Sequence, residues 1–390
     1  MGRTVTALVT HEGDPLGAVG PFAVETAWWS EVGSVAGHLR RELGVPVLVL
    51  RLLKVEHGEG GRDGHVTYHA EALHPPTRVP ARPIDHAGLG ASHELRSPWA
   101  RLDGLRELLG WAADILAAAG RPPTGPVEQH RTWNLAGLFR LPTRQGPVWL
   151  KATPRFATDE AGVIAAFARL DPGLVPQVIA AGDRRMLLEH LPGEDCWDAS
   201  APVIISAVER WVAAQTAVSP PEGLPDGRSP VIADRVRALL DGPVGGELTA
   251  GERAVAHDLV RRWPMLDDCG LPDTVVHGDF HPGNWRGDGG PPVVMDFADA
   301  HLGNPVLDGL RVRDFLPEGK RPIAVRAWAD AWRSHRPGCH PARALAIGEP
   351  LGHLAYAVRY QEFLDGIEPS ERIYHLDDPV VTVRRALRHA

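Results

Sequence analysis

His277-Gly278-Asp279-Phe280-His281-Pro282-Gly283-Asn284, followed by the apolar run Val293-Val294-Met295 and then by Asp296-Phe297-Ala298-Asp299, is the stretch on which the reading of this chain turns. It sets an aspartate, then an asparagine five residues on, then a second aspartate at the end of a short apolar strand. Phosphoryl transfer from a magnesium nucleotide needs that set: a carboxylate to take the proton of an attacking hydroxyl, and oxygen ligands for a hard cation. Asp279 is the candidate base, and Asn284 and Asp296 are the candidate Mg²⁺ ligands. A polar turn between two strands, punctuated by Gly and Pro, is the bland alternative. The combination of Asp-x-x-x-x-Asn with a strand ending in Asp-Phe speaks against it.

At these residues the chain resembles the aminoglycoside phosphotransferase and choline kinase-like enzymes, a branch of the protein-kinase-like fold. The resemblance covers about residues 127–390 and is strongest in HGDFHPGN at 277–284 and MDFADA at 295–300. Gly278 stands where protein kinases usually carry Arg, Ala298 where they carry the Gly of Asp-Phe-Gly, and no Ala-Pro-Glu segment follows. A small-molecule acceptor is therefore expected rather than a protein. The fold class implied is α+β: a bilobal protein-kinase-like (aminoglycoside phosphotransferase-type) fold with an extra small α/β domain at the N-terminus. The expected boundaries are 1–100 for that accessory domain and its linker, 101–126 for a bridging helix and linker, 127–193 for the N-lobe and hinge, and 194–390 for a mostly helical C-lobe with the catalytic and metal loops.

Lysine is scarce: Lys54, Lys151 and Lys320 are the only ones, against a background of arginine. Where charge alone suffices the chain uses Arg, so a retained Lys points to a role that guanidinium cannot fill. Lys151 lies in the apolar strand Val148-Trp149-Leu150-Lys151-Ala152, after a turn at Arg144-Gln145-Gly146. The resemblance makes it the lysine that contacts the α- and β-phosphates of ATP or GTP, and the family's spacing selects Glu160 over Asp159 as its carboxylate partner. A surface strand lysine and a first-turn acid favoured by the helix dipole are the plain alternative. By the same resemblance the turn Thr132-Trp133-Asn134-Leu135 takes the place of the phosphate-covering loop. It has none of the glycines of Gly-x-Gly-x-x-Gly, so its backbone amides and the Asn134 side chain are expected to meet the nucleotide. Met186-Leu187-Leu188-Glu189-His190-Leu191 runs into Pro192-Gly193 and corresponds to the hinge, with backbone groups of Glu189 and Leu191 on the adenine edge.

Composition agrees with a soluble globular chain, with 44% hydrophobic and 23% charged residues over 390 positions. That length accommodates more than one domain. A net charge of -8 argues against a nucleic-acid partner. No stretch has the apolar length of a membrane span, and Met1-Gly-Arg-Thr-Val lacks the apolar core of a signal peptide, so a cytoplasmic location is expected. Cys196, Cys269 and Cys339 are too few and too far apart to suggest a disulfide framework or a zinc site.

The N-terminal part reads as a small α/β unit. A strand is expected at Thr6-Ala7-Leu8-Val9, a helix over 32–43 ending at Gly44, a strand over 46–55, and a closing strand over 65–73. The helix faintly resembles the Nudix fold, but the paired metal-binding acids of that family are missing, so the unit is expected to be non-catalytic. Residues 74–100, rich in Pro, Ala and Arg, read as an irregular linker before an amphipathic helix through Leu105, Leu108, Leu109, Trp111, Ile115 and Leu116. That apolar face should pack on the core or on a second copy, which makes a homodimer through the N-terminal domain one arrangement to test. Periodic apolar stretches predict helices over 204–218, 231–240, 254–266, 324–332, 341–364 and 380–387. Asp308 is expected to brace the catalytic loop from a helix start, and His277 and His281 to order it. For Asp299 the metal shell and a bond to the loop stand as equal alternatives.

Taken together, these residues imply an ATP- or GTP-dependent O-phosphotransferase for a small hydroxylated metabolite or antibiotic. An aminoglycoside-specific kinase is one alternative, since Glu189, Glu194, Asp195 and Asp198 offer an acidic rim for a polycation. The basic end, Val383-Arg384-Arg385-Ala386-Leu387-Arg388-His389-Ala390, counts against it. A nucleotide-binding pseudokinase is the other alternative, disfavoured by the intact set of Lys151, Glu160, Asp279, Asn284 and Asp296.

Overall fold

The hairpin of β1 (Arg3–His11) and β2 (Asp14–Val24) opens the chain in the computed structural model, which describes residues 2–78, 80, 82 and 89–390. With α1 (Gly33–Leu43), β3 (Val47–Glu56) and β4 (His65–Ala72) it forms a sheet in the order β2-β1-β4-β3. β1 and β4 are parallel, and the other pairs are antiparallel. Val35, Leu39 and Leu43 recur one turn apart and make the buried face of α1, which stops at Gly44 in a left-handed cap with φ of 74°. β2 was not legible in the sequence, because Pro15, Gly17, Gly20 and Pro21 read as turn residues. An edge strand tolerates them, since one side of its backbone needs no ladder partner.

Val47 to Leu52 of β3 are mostly buried, and alternate residues there face two different cores, which is why the strand opens with the apolar run Val47 to Leu50. Val47 and Val49 join the cluster of β1, β4 and α1 around Trp29 and Tyr68, while Leu48 and Leu50 join a second cluster with Trp99, Leu105, Leu108 and Leu116. The second cluster includes the apolar face of α2 (Leu102–Ala118) and residues of β6 (Gly137–Leu141), β7 (Val148–Ala152) and β9 (Arg185–Glu189), with Val127, just before β5 (Glu128–Thr132), and Ile179 of β8 (Val178–Gly182) packed against it. These five strands form a sheet in the order β5-β6-β7-β9-β8. The exposed edge of β3 is covered by Gln129, whose side-chain amide accepts from Val49 N at 2.7 Å and donates to Val49 O at 2.7 Å, in the manner of a neighbouring strand.

The chain divides into two compact units. The first comprises Met1–Phe156, Ile179–His190 and Phe363–Leu376, and the second Ala157–Val178, Leu191–Glu362 and Asp377–Ala390. Within the first, the segment 363–376 is held by buried ion pairs, with Glu368 at 3.3 Å from Arg51 and 2.9 Å from Arg96, and Tyr374 lies in the apolar cluster of the N-terminal sheet. Of the segment 74–100 read as a linker, residues 79, 81 and 83–88 lie outside the described residues.

The second unit is mostly helical. It contains α3 (Glu160–Ala168), β10 (Glu194–Asp195), α4 (Ala201–Ala217), β11 (Asp226–Gly227), α5 (Ser229–Asp241), α6 (Pro243–Gly246), α7 (Ala250–Val260), α8 (Pro264–Asp267), β12 (Thr274–Val276), β13 (Trp285–Gly287), β14 (Val293–Val294), β15 (His301–Gly303), α9 (Val306–Phe315), α10 (Arg321–His335), most of α11 (Pro341–Gly366), and α12 (Asp378–Leu387). The stretch 254–266, expected as one helix, is broken between α7 and α8, where Pro264 starts a new turn that it cannot join to the old one. Among the described residues no helix is long and apolar enough to cross a membrane.

Candidate active site

The catalytic loop follows β12 and takes a conformation that explains its glycine. Gly278 has φ of 81°, and a Cβ there would stand 2.3 Å from Asp299 O, so the arginine that protein kinases usually place at this point cannot be accommodated. Asp308, in the first turn of α9, braces the loop from below. It is fully buried and accepts from His277 N at 3.0 Å, Gly278 N at 3.1 Å, Trp211 Nε1 at 2.9 Å and Gln215 Nε2 at 2.9 Å. Burial pushes its carboxyl up from the ordinary range, and these donors oppose that rise.

The two histidines order the loop through defined tautomers. Asp279 N donates to His277 Nδ1 at 3.1 Å, which leaves Nε2–H to donate to Met295 O at 3.1 Å. Gly283 N donates to His281 Nδ1 at 3.0 Å, so His281 Nε2–H points at Asp279 Oδ2, 3.2 Å away. Asn284 Nδ2 closes the loop on itself, donating to Asp279 O and Asp279 Oδ2, each at 2.9 Å.

Asp279 is the only member of this group with a side chain open to solvent by about a quarter, at 24%. Its Oδ1 receives Arg311, with Nε at 2.7 Å and Nη2 at 2.6 Å. Burial alone would raise this carboxyl, but the Arg311 guanidinium and the His281 hydrogen bond hold it well below the usual carboxylate range. Asp279 is thus an anion fixed in direction. Arg311 was not singled out from the sequence, although Asp308, Arg311 and Phe315 at i, i+3 and i+7 share one face of α9. In a chain so rich in arginine, that spacing does not stand out.

Asp296 follows β14 with φ of 68°, a left-handed conformation that Asp adopts more readily than most residues. Met295 N donates to Asn284 O at 2.9 Å, which joins the metal loop to the catalytic loop through the backbone. The donor chemistry fits Mg²⁺: the Asn284 nitrogen is anchored on Asp279, so its Oδ1 would be the atom free to ligate, and Asp296 would supply a carboxylate. Among the described residues no group of three or more His, Cys, Asp or Glu could hold a metal by itself. Magnesium in nucleotide sites takes one or two protein oxygens and completes its shell with phosphates and water. Glu160, at the head of α3, is buried and accepts from Phe297 N at 2.8 Å, which fixes the backbone directly after Asp296. The Asp299 carboxylate pairs with Arg359 at 2.8 Å.

The remaining candidates lie in the first unit, apart from Leu191, the first residue of the stretch Leu191–Glu362. Lys151 is 9% exposed on β7, between Leu138 of β6 and Met186 of β9. A nearly buried ammonium is costly in a sheet unless an anion compensates it. Glu189 ends β9 with its carboxylate forked on Arg121, whose Nη2 reaches Oε2 at 3.0 Å. Asn134 is the candidate nucleotide contact in the turn 132–135. It is 1% exposed, its Nδ2 donates to Glu371 O at 3.4 Å and its Oδ1 faces His375 Nε2 at 3.4 Å, so the side chain joins the turn to the segment 363–376 and does not face outward. Trp133 packs there too, against Tyr374 and His375.

The profile described as "Phosphotransferase enzyme family" matches residues 139–343. No curated protein matches the chain. Among solved structures it is similar to the choline kinase LicA from Streptococcus pneumoniae, at 13% identity over 72% of this chain and 97% of that one, with a TM-score of 0.54. It is also similar to an ethanolamine kinase from Plasmodium vivax, at 10% identity over 67% of this chain and 81% of that one, with a TM-score of 0.50. At such identities the likeness shows the fold, an α+β protein-kinase-like one, and does not choose an acceptor.

Proposed function

We propose that this chain, which belongs to the phosphotransferase enzyme family, transfers the terminal phosphoryl group of ATP or GTP to a hydroxyl of a small metabolite or antibiotic. The observation that carries the reading is the Asp279 carboxylate, fixed by Asn284, His281 and Arg311 on a loop that Asp308 braces. A carboxylate held so far below the usual range is a weak base. In a loose transition state the attacking oxygen needs little deprotonation beforehand, so the work of Asp279 is to orient the hydroxyl and to receive its proton late. The acceptor oxygen bonds to the γ-phosphorus as the bond to the β–γ bridging oxygen breaks, and the proton passes to Asp279 and on to solvent.

Asn284 and Asp296 would hold Mg²⁺, which would offset the charge that develops on the phosphates. Lys151 and Glu160 would position the phosphates, and backbone groups of Glu189 and Leu191 would meet the base edge. Asn134 drops out of the nucleotide set, and the backbone amides of its turn remain. An ATP or GTP donor supports the cytoplasmic location expected from the sequence.

An aminoglycoside-specific kinase is a weaker reading. Of the four carboxylates that were to form an acidic rim, Asp195 pairs with Arg286 at 2.9 Å and Glu189 with Arg121. The test is a screen of hydroxylated metabolites and antibiotics for Mg²⁺-dependent consumption of nucleotide. Consumption that rises with one hydroxyl compound and not with its deoxy analogue is the expected result. A protein that binds nucleotide tightly yet consumes none with any acceptor would be a pseudokinase.

A further inference from the structure

Beside Asp279 the second unit carries a run of aromatic rings that phosphoryl transfer does not require. Trp197 stacks on His281 with centroids 5.1 Å apart, and His281 stacks on Phe315 at 4.3 Å. His281 is the residue that donates to Asp279 Oδ2, so this stack begins at the reacting carboxylate. Its outer members are exposed, Trp197 at 47% and Phe315 at 37%, which is unusual for large apolar rings next to a buried loop. The position of Trp197 is built in. Cys196 N donates to Pro282 O at 3.0 Å, and Gly283 leaves room for the indole, since a Cβ there would stand 2.2 Å from it.

Arg311 fills the gap between the rings and the carboxylate. Its guanidinium carbon lies 4.2 Å from the centroid of Phe315 and 4.5 Å from that of Tyr356, while its nitrogens fork on Asp279. A cationic acceptor is drawn to such a site by two things, an uncompensated carboxylate and free aromatic faces. Arg311 compensates the carboxylate and, with His281 stacked on the same ring, covers Phe315, so Trp197 is the ring left open. A cavity of about 260 Å³ is lined by Arg311, Tyr356, Tyr360 and Arg385, and also by Asp314 and Glu349, whose carboxylates pair with Arg313.

We propose that Arg311 is a specificity-determining residue that excludes cationic acceptors, and that the enzyme phosphorylates a hydroxyl compound with no positive charge near the reacting group and with a flat apolar face that lies on Trp197. This rests on the phosphotransferase reading and narrows its acceptor. Flat apolar ligands stack on exposed rings without needing charge, and the hydroxyl is then delivered to Asp279 past the edge of His281.

The experiment uses matched hydroxyl compounds: choline against its uncharged isostere 3,3-dimethylbutanol, an amino sugar against its N-acetyl form, and an aryl glycoside against the methyl glycoside. Binding is read by calorimetry on the full chain with nucleotide and Mg²⁺, which needs no turnover, and transfer is read by nucleoside diphosphate release. The uncharged member of each charged pair should be favoured at least tenfold, and the aryl glycoside should bind more tightly than the methyl one. Trp197→Ala should raise the acceptor KM at least tenfold and leave the nucleotide KM alone. Arg311→Gln should raise the relative use of the cationic members, a switch in preference that loss of structure would not produce. Preferential use of choline or the free amino sugar by the wild type would overturn the inference and leave the kinase intact, as would Trp197→Ala without effect on acceptor binding. Absence of binding by every uncharged aryl compound would overturn it too. Absence of diphosphate release with all acceptors, while the uncharged ones bind, would instead count against the kinase.

Discussion

The loop 277–284 and the turn 132–135 are both read from the sequence as carrying polar atoms of a phosphotransfer site, and they are built in opposite ways. In the loop, Asp279, His281 and Asn284 bond to one another across five residues or fewer, and the result is an aspartate that looks outward. In the turn, Asn134 bonds to Glu371, 237 residues away, and looks inward. A polar residue whose partners are its neighbours in sequence can be assigned from a motif. One whose partner is distant cannot, because the same side chain serves equally well as a structural bond.

The largest effect that would separate the two belongs to Asp279. Asp279→Asn should lower kcat by roughly two to four orders of magnitude, with nucleotide affinity retained in equilibrium binding. Asn134→Ala should by contrast leave kcat within about an order of magnitude and lower thermal stability, since a buried hydrogen-bonded amide is worth about 1 kcal/mol. The reverse pattern, a catalytic defect from Asn134 and none from Asp279, would break the comparison.

A smaller effect should follow at the metal loop. Asp296→Ala and Asn284→Ala each remove an oxygen from a cation that binds through several. Titration of Mg²⁺ in steady-state assays should show a higher requirement in both, with Asp296 the more severe because it removes a charge. Curves that overlay the wild type would place the metal elsewhere.

Lys151→Arg should weaken nucleotide binding about tenfold, about 1.4 kcal/mol. The charge survives, but a planar guanidinium does not fit a slot made by a compact ammonium between two strands. Unaltered nucleotide affinity in this variant would remove the reason given for the retention of this lysine.

An effect on stability and not on catalysis concerns the inward-facing segment. Burial, with Glu368 beside it, raises the Glu371 carboxyl from the ordinary 4.5 to about 8. The folded protein therefore keeps a proton that the unfolded chain releases between those values, so this group contributes stability at low pH that is lost as pH rises toward 8. The slope is at most about 1.4 kcal/mol per pH unit. Glu371→Gln should flatten the fall in Tm between mildly acidic and mildly basic pH and leave Tm higher than the wild type at the basic end. A wild-type Tm that rises across that window, or a variant that keeps the wild-type slope, would show that the carboxyl is ionised in the fold.

What could be read from the sequence follows the same division. The catalytic and metal loops, the alternating strand around Lys151, and the amphipathic faces of α1 and α2 depend on near neighbours, and their residue types declare them. β2 stayed hidden because its Pro and Gly residues are tolerated only by its place at a sheet edge, which is a tertiary fact. The segment 363–376 was read as the end of a helix followed by more C-lobe. Its Glu368 and Tyr374 belong to the first unit through Arg51, Arg96 and the N-terminal sheet. Arg311 was missed for a different reason: its partner Asp279 is 32 residues back, and one arginine among so many carries no mark.

The central claim is that the second unit's loop sends phosphate to a hydroxyl, and ³¹P NMR of the nucleotide's γ-phosphate tests it most directly. With Mg²⁺ and an acceptor from the screen, a phosphate monoester resonance should grow in step with nucleoside diphosphate and should be absent with Asp279→Asn. Inorganic phosphate growing in step with diphosphate and no ester, or an ester that forms equally fast in Asp279→Asn, would contradict it.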